Sequence, residues 1–432
     1  MSMSMQPSGR PGGRSFDLAT FLLAVVSMVL FVDALVYGMI APVVPSYAHV
    51  MGASDLEIGL IFSAYPIVQL LTLMPVGALS DRYGRKPFIL LGLVTLVIST
   101  VAFAISVNVP QLILTRGLQG LAASCTMTAG LALISEGAPP DKMGGTLGIA
   151  TASQGAGIMA GPLFGGSLAE VGGYNFPFLV AAALTLAILS LTVIALRGYR
   201  PQCPGRVECG RTDWGEVLRE RTVFAIVLIV VIWAIGIGIL EPAYPLHMSE
   251  NFGATASMIG AFFTAMSIPN VLSPPFFGRL SDRIGRKMLV VVAALLFAVL
   301  FSILSMMDSF TLLLLVGTLL GLTSGMLWAP SLSLTIESIS RRVGKGSDGI
   351  ATGIYNSAWA IGLAGGPFIF GLLVDPIAHT HLPGLLRHRG RGRDSVHMAD
   401  HGEPGLSASD AWSGPRRCAE SMDHGCAVLK DL

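Results

Sequence analysis

Long apolar runs alternate with short polar segments along most of the chain. Each run has about 20 residues, the length an α-helix needs to cross the hydrocarbon core of a bilayer. Gly, Pro or charged residues bound the runs, so the pattern predicts an all-α polytopic membrane protein with about eleven spans. The predicted spans are residues 18–41, 57–79, 87–107, 110–134, 146–168, 176–196, 222–246, 257–279, 287–306, 309–334 and 350–374.

The composition agrees with a chain that lies mostly in lipid. Of its 432 residues, 53% are hydrophobic and 12% are charged, whereas a soluble domain has about 25% charged residues. The formal net charge of +1 excludes the concentrated basic face that nucleic-acid binding requires. The five cysteines lack the paired spacing of a zinc site. We therefore expect neither an enzyme nor a metal protein, and no nucleic-acid partner.

Lysine and arginine fall almost entirely on one side of the predicted membrane. Up to Asp375 the chain has 20 of them, and 19 lie in the N-terminal segment or in loops that follow even-numbered spans. Cytoplasmic loops accumulate these residues, so the N-terminus is predicted to be cytoplasmic. The remaining one, Arg116, lies inside the fourth predicted span.

An internal repeat indicates how the spans are organised. Residues 77–86 recur as residues 278–287, 201 positions later, with eight of ten positions identical. Each copy follows the second span of its half, which predicts two parallel six-helix repeats related by an axis along the membrane normal. The predicted segments are a cytoplasmic N-terminal segment (1–17), an N-terminal bundle (18–197), a cytoplasmic linker (198–221), a C-terminal bundle of five spans (222–375) and a tail (376–432).

The tail differs in composition from everything before it. It holds six of the eight histidines and no run that can span a bilayer. We predict a disordered segment that follows a change of reading frame or a retained intron near Asp375. On this interpretation the last helix of the second repeat is missing from this product.

The repeated sequence G-x-L-S-D-R-x-G-R-K resembles the signature of the major facilitator superfamily, and the resemblance extends over about residues 18–375. It implies a secondary transporter with twelve helices that alternates between inward-facing and outward-facing states. An ion gradient, and no cofactor, drives such a transporter, and we expect a monomer. The resemblance assigns conformational roles to Gly77, Asp81, Arg82, Gly84 and Arg85, and to their counterparts Gly278, Asp282, Arg283, Gly285 and Arg286.

Two further stretches resemble motifs of this superfamily. Gly157, Gly161 and Pro162 match the antiporter motif of the fifth span, although glycines four residues apart also serve simple helix packing. The stretch that begins at Arg116 resembles the fourth-span motif whose arginine is implicated in proton coupling. An arginine inside the membrane is costly, which favours a functional role.

Within the superfamily the chain is similar to vesicular amine transporters and their drug:proton antiporter relatives. Asp33 of the first span precedes two prolines at that group's spacing, and Leu240-Glu241-Pro242 with Pro245 matches its seventh-span motif. Glu337 lies where the group has an acid. The group's lysine in span two and aspartate in span eleven correspond here to Tyr65 and Asn356. Losing both charges together avoids a buried unpaired ion, and it favours a broader organic-cation or drug substrate over a neurotransmitter.

Asp33 and Glu241 are the main candidates for transport chemistry. Each is an acid inside an otherwise apolar span, where such residues face a cavity or a partner. Glu337 is predicted either as a site residue or, by its repeat relation to Glu136, as part of a gate. The candidate substrate and proton site comprises Asp33, Tyr65, Arg116, Glu241, Tyr244, Glu337 and Asn356.

The sequence predicts a proton-coupled antiporter that exports organic cations, amines or drugs. Its partners would be a small amphiphilic cation and the lipid of a plasma, vacuolar or vesicular membrane. Two alternatives stay open: a facilitator or symporter of neutral solutes such as sugars, and a truncated membrane sensor or regulator that does not transport.

Overall fold

The computed structural model describes residues 14–137, 143–197, 220–343 and 348–381, in which the secondary structure is helical. Helices are expected because a backbone in lipid must satisfy its own hydrogen bonds. The helices are α1 (Arg14–Gly38), α2 (Ile40–Val50), α3 (Asp55–Tyr83), α4 (Arg85–Ala104), α5 (Val109–Gly137), α6 (Met143–Gly172), α7 (Phe176–Ala195), α8 (Arg221–Phe252), α9 (Ala256–Leu272), α10 (Pro274–Ile284), α11 (Arg286–Leu304), α12 (Phe310–Val343) and α13 (Asp348–His381).

Each predicted span coincides with a helix or with a pair of joined helices. Within the described ranges, nine helices are long and apolar enough to cross a membrane, or ten when α9 and α10 form one span bent by 45°. Pro274 and Pro275 follow Ser273 at this bend and remove helix hydrogen bonds there. The remaining predicted span, 146–168, lies on α6, a 30-residue helix rich in Gly and Ala. The predicted tail (376–432) begins too early, because α13 continues to His381, and residues 382–432 lie outside the described residues.

The two copies of the repeated motif each turn the chain at a glycine. Gly84 separates α3 from α4 with φ of 91°, and Gly285 separates α10 from α11 with φ of 98°. Side chains are strained in this region of φ, so glycine is required at both turns. We call the side of the molecule that carries these two turns the motif face, and the other side the opposite face.

Each repeat forms its own hydrophobic core. The first core draws on α1 to α7, with Leu30, Phe103 and Phe178 fully buried. The second draws mainly on α8 to α12 and centres on Phe262 and Leu327. Close packing within each repeat, together with the 201-residue relation between them, confirms the predicted fold of two repeats.

Two helix crossings join the repeats, and they involve equivalent positions of the two repeats. In one, α6 crosses α9 with Pro162 against Gly260; in the other, α13 crosses α3 with Pro367 against Gly59. A Cβ atom on either glycine would overlap the carbonyl of the facing proline. Small residues therefore allow these helices to approach at backbone distance.

Hydrogen bonds reinforce both crossings. At the first, the Thr264 hydroxyl donates to the Met159 carbonyl at 3.1 Å. At the second, the Ser63 hydroxyl donates to the Ala364 carbonyl at 2.7 Å. Each bond satisfies a polar group of one repeat with the backbone of the other, so the crossings fix the register of the two repeats.

On the opposite face, α6 also caps the start of α9. Glu170 Oε2 accepts a hydrogen bond from the Ser257 hydroxyl at 2.6 Å, and Oε1 accepts one from the Ser257 amide at 3.2 Å. Hydrogen bonds from Ser257 and Thr255 lower the pKa of the Glu170 carboxyl. A carboxylate is favoured at a helix N-terminus, so this contact stabilises the junction of the repeats.

Candidate functional site

Several buried or half-buried polar side chains lie together where α1, α3, α5 and α8 meet. Asp33 and Tyr37 come from α1, Tyr65 from α3, Arg116 from α5 and Glu241 from α8; we call this group the central polar cluster. Asp33 is 6% exposed and Arg116 1% exposed. The structure thus brings together four of the predicted site residues and adds Tyr37.

A hydrogen bond within the cluster links the two repeats. The Tyr37 hydroxyl donates to Glu241 Oε1 at 2.8 Å. The Tyr37 and Tyr65 rings lie 5.0 Å apart. Glu241 of the second repeat is therefore held by side chains of the first.

Arg116 is held by aromatic faces and an amide. Its guanidinium carbon lies 4.8 Å from the ring centroid of Tyr65 and 5.8 Å from that of Tyr37. Nη1 donates to Gln119 Oε1 at 2.9 Å. Within the described ranges, Arg116 Nε and Gln119 Nε2 are buried without a hydrogen-bond partner. Cation–π contacts thus account for part of the stabilisation of this buried charge.

Asp33 lies one helical turn before Tyr37 on α1. The Thr126 side chain is within hydrogen-bonding reach of its carboxyl, and the carboxyl also interacts electrostatically with Tyr65. The central polar cluster therefore holds two acids from different repeats and one arginine, surrounded by tyrosines.

Three other predicted site residues have different surroundings. Tyr244 stacks on Phe262 at 6.2 Å between ring centroids, within the second hydrophobic core. Asn356 follows Tyr355, whose hydroxyl is bonded to Ser331. Glu337 pairs with arginines near the motif face, as described below. Their roles in substrate or proton binding stay predictions.

Sequence reasoning missed three members or neighbours of the cluster, namely Tyr37, Gln119 and Thr126. Helical spacing carried a signal for two of them, because Tyr37 is four residues after Asp33 and Gln119 is three after Arg116. Residues at these spacings share a helix face. Thr126 contacts Asp33 from another helix, and no spacing along the chain indicates this.

The first copy of the repeated motif forms an ion network around Arg85. This arginine pairs with Asp81, and its Nε lies 2.8 Å from Glu136 Oε1. Its Nη1 also donates to the Ser80 hydroxyl at 2.7 Å, and Ser80 in turn donates to the Gly77 carbonyl at 2.8 Å. The network ties α3, α4 and α5 together near the Gly84 turn.

The second copy repeats this network 201 residues later. Arg286 Nη2 lies 2.9 Å from Asp282 Oδ1, and Arg286 Nη1 lies 3.1 Å from Glu337 Oε2. Arg341 adds a further pair with Glu337, and Ser281 donates to the Gly278 carbonyl at 2.6 Å.

Whether Glu337 acts as a site residue or as part of a gate stays a prediction. Each of these five ion pairs joins two residues of the same repeat. The motif arginines Arg82 and Arg283 are exposed and take no part in these pairs.

We expect Arg85→Gln to lower stability more than Arg286→Gln. The Arg85 side chain is 11% exposed and that of Arg286 is 33% exposed, so solvent screens the second network more strongly. Loss of Arg85 should cost about 1–3 kcal/mol because it leaves charged partners without their bonds. Melting temperatures of the purified variants measure the difference. Arg82→Gln is the control, and an equal loss in all three would contradict the ranking.

The predicted antiporter stretch packs α6 tightly on α1. A Cβ atom on Gly161 would lie 2.7 Å from the Leu35 carbonyl oxygen and 2.8 Å from Gly38 Cα, and one on Gly157 would lie 2.9 Å from Ala34 Cβ. Since Pro162 also faces α9, this stretch contacts both repeats. Packing is thus a role that the structure gives to these residues, while their role in export stays a prediction.

The structure has two helical repeats with separate cores and two related crossings between them, and charged residues lie inside its apolar helices. These features are typical of a polytopic membrane protein of the transporter class. The family profile of the Major Facilitator Superfamily matches residues 26–240 and 226–380. The chain belongs to this superfamily.

Curated relatives are named for drug resistance or for transport. Multidrug resistance protein 2 of Bacillus subtilis (strain 168) is 27% identical over 82% of this chain and 89% of its own length. The human MFS-type transporter SLC18B1 is 26% identical over 85% of this chain and 83% of its own. The synaptic vesicular amine transporter of Mus musculus is 30% identical over 64% of this chain, which spans about half (52%) of that protein.

A solved structure shows the same fold. A bacterial homologue of the human lysosomal transporter Spinster superposes with a TM-score of 0.72 at 16% identity, covering 88% of this chain and 85% of that chain. This likeness agrees with the all-helical fold of two repeats described above.

Proposed function

We propose that this Major Facilitator Superfamily protein is a proton-coupled antiporter that exports organic cations, amines or drugs. The observation that carries the proposal is the pair of acids inside apolar helices, the buried Asp33 and the half-buried Glu241, which come from different repeats and meet in one cluster. Acids inside apolar helices are costly, and the transport of charged species accounts for their presence.

The chemistry of the cluster suits exchange. A proton or an organic cation each neutralises a buried carboxylate, so binding of one reduces the attraction for the other. Arg116 adds a fixed positive charge in the same cluster, which opposes simultaneous binding of both at low dielectric. Alternation of the two occupants on the same acids is the minimum requirement of antiport.

The names of the relatives support this substrate class. They include a multidrug resistance protein and a synaptic vesicular amine transporter. The presence of Tyr65 and Asn356, where the amine transporter group carries charges, favours a broader set of amphiphilic cations. The excess of basic residues around the motif face supports an orientation with that face in the cytoplasm.

Uptake into proteoliposomes tests the function. With an acidic interior, vesicles that contain the protein should accumulate a fluorescent organic cation, and a protonophore should release it. Excess unlabelled cation should compete, whereas glucose should not. Accumulation that survives collapse of the proton gradient would reject antiport, and competition by sugar would favour transport of neutral solutes.

A further inference from the structure

Tyr37 is the residue of the central polar cluster that joins the two repeats. Its hydroxyl donates to Glu241 across the junction, while its ring lies against Tyr65 and near Arg116 of its own repeat. We propose that Tyr37 is a positioning residue that couples protonation of Glu241 to the contact between the repeats. The proposal rests on the proposed function in taking Glu241 as a proton-binding group.

The strength of the Tyr37 bond depends on the charge of its acceptor. A hydroxyl bound to a carboxylate forms a charge-assisted hydrogen bond, roughly twice as strong as one to a neutral carboxylic acid. Ionised Glu241 therefore holds α8 to α1 firmly. Protonation leaves a weaker bond, and the balance between joined and separated repeats shifts toward separation.

The position of the bond determines which side responds. Tyr37 lies at the end of α1 that is distant from the motif face, one residue before that helix ends at Gly38. The two crossings and the Glu170 cap also join the repeats toward the opposite face. Weakening the Tyr37 bond therefore loosens the same side that these contacts seal.

The other charged and titratable groups near this bond belong mainly to the first repeat. Arg116 and Tyr65 interact electrostatically with Glu241, and Asp33 does so with Tyr65. On the C-terminal helix α13, Tyr355 is occupied by its bond to Ser331. Arg116 keeps its charge throughout, so Glu241 and Asp33 are the groups whose charge changes with pH, and Tyr37 touches only Glu241 of these two.

Tyr37→Phe isolates the hydroxyl. Phenylalanine keeps the ring that packs against Tyr65 and Arg116, so the cluster retains its shape. Tyr47→Phe is the matched control, because it removes a tyrosine hydroxyl that donates to the Ser106 carbonyl at 3.0 Å within the first repeat. Glu241→Gln imitates the protonated acid.

Spin labels on the opposite face report the separation of the repeats. Val107 and Met306 lie in corresponding turns of the two repeats and are 77% and 72% exposed. The labels are attached to cysteines introduced at these positions in the full chain, whose native cysteines are replaced by serine. Double electron–electron resonance then gives the distribution of distances between the two labels. Acidification of the otherwise native chain should increase the long-distance population.

In Tyr37→Phe the ratio of separated to joined molecules at alkaline pH should rise about tenfold, as loss of a bond to a charged group predicts. Its distribution should then vary little with pH, and Tyr47→Phe should keep the unmodified pH profile. Combining Tyr37→Phe with Glu241→Gln should change the distribution by less than the sum of the two single changes. An unaltered pH profile in Tyr37→Phe, or additive effects in the double variant, would overturn the proposal.

The measurement also separates this proposal from the proposed function. If the unmodified chain accumulates cations and Tyr37→Phe leaves the pH profile of the label distances unaltered, antiport is supported and the coupling through Tyr37 is rejected. If the effects of Tyr37→Phe and Glu241→Gln are not additive but no cation accumulates, the coupling is supported and antiport of cations is rejected.

Discussion

Asp33→Asn is expected to abolish proton-driven accumulation of organic cations while the protein still folds. Asparagine has nearly the same size as aspartate and retains the capacity to bond Thr126, but it carries no charge. Without that charge the site can neither take up a proton nor attract a cation. We expect a loss of about 100-fold or more, because truncating the charged partner of a bound cation costs about 2–5 kcal/mol of binding free energy.

The matched control is Asp308→Asn, the same chemical change at an exposed residue in the turn between α11 and α12. Uptake into proteoliposomes with an acidic interior gives the rate, and binding of the labelled cation in detergent separates binding from transport. Full accumulation by Asp33→Asn would remove Asp33 from the mechanism. An equal loss in both variants would indicate a general effect on folding.

Gly161→Ala is expected to destabilise the protein although alanine normally strengthens helices. The new Cβ would meet backbone atoms of Leu35 and Gly38, which cannot move without shifting α1. Overpacking of this kind costs about 1–3 kcal/mol, more than the gain of about 1 kcal/mol from replacing glycine in a helix. Because Asp33 and Tyr37 lie on α1, transport should fall together with stability.

Gly148→Ala provides the comparison within the same helix. No atom lies within 4 Å of a Cβ placed on Gly148, so its melting temperature should stay the same or rise. Thermal unfolding of both variants in detergent measures the difference. Equal melting temperatures of Gly161→Ala and Gly148→Ala would contradict the close packing of α6 on α1.

The repeats and the spans could be predicted from the sequence because both depend on local patterns. Apolar length determined the spans, and the second copy of the motif at 278–287 indicated the two halves. The glycine turns followed from the same motif, since a tight turn between helices needs a positive φ. The sequence predicted one continuous span over residues 257–279 and did not predict the bend between α9 and α10, although the consecutive Pro274 and Pro275 indicate a break.

The composition of the site could be predicted only in part. Asp33, Arg116 and Glu241 stood out because charge is rare in apolar spans. Their mutual arrangement depends on the packing of α1, α3, α5 and α8, and Tyr37 and Glu241 are 204 residues apart. Glu337 showed the same limit, because its pairing with Arg286, 51 residues away, depends on the packing of two helices, and its role stays a prediction.

Tyr65, at the position where the resemblance to amine transporters implies a lysine, has a clear contact in the structure. The Tyr65 ring lies under the Arg116 guanidinium, at a position where a second cation would repel it. The aromatic ring instead stabilises the charge already present. A change that appeared in the sequence as the loss of an ion pair is, in space, the gain of a cation–π contact.

The carboxylate of Glu170 has a consequence for the timing of the transport cycle. When the repeats part on the opposite face, the amide and hydroxyl of Ser257 at the start of α9 lose the acid that accepts their hydrogen bonds, and water has to replace that acid before opening is complete. Because the bond stabilises the sealed state and has to break before opening, it raises the barrier that leads out of that state. The dwell time of the sealed state should therefore shorten when residue 170 can no longer act as an acceptor, even where the affinity for cations is unchanged.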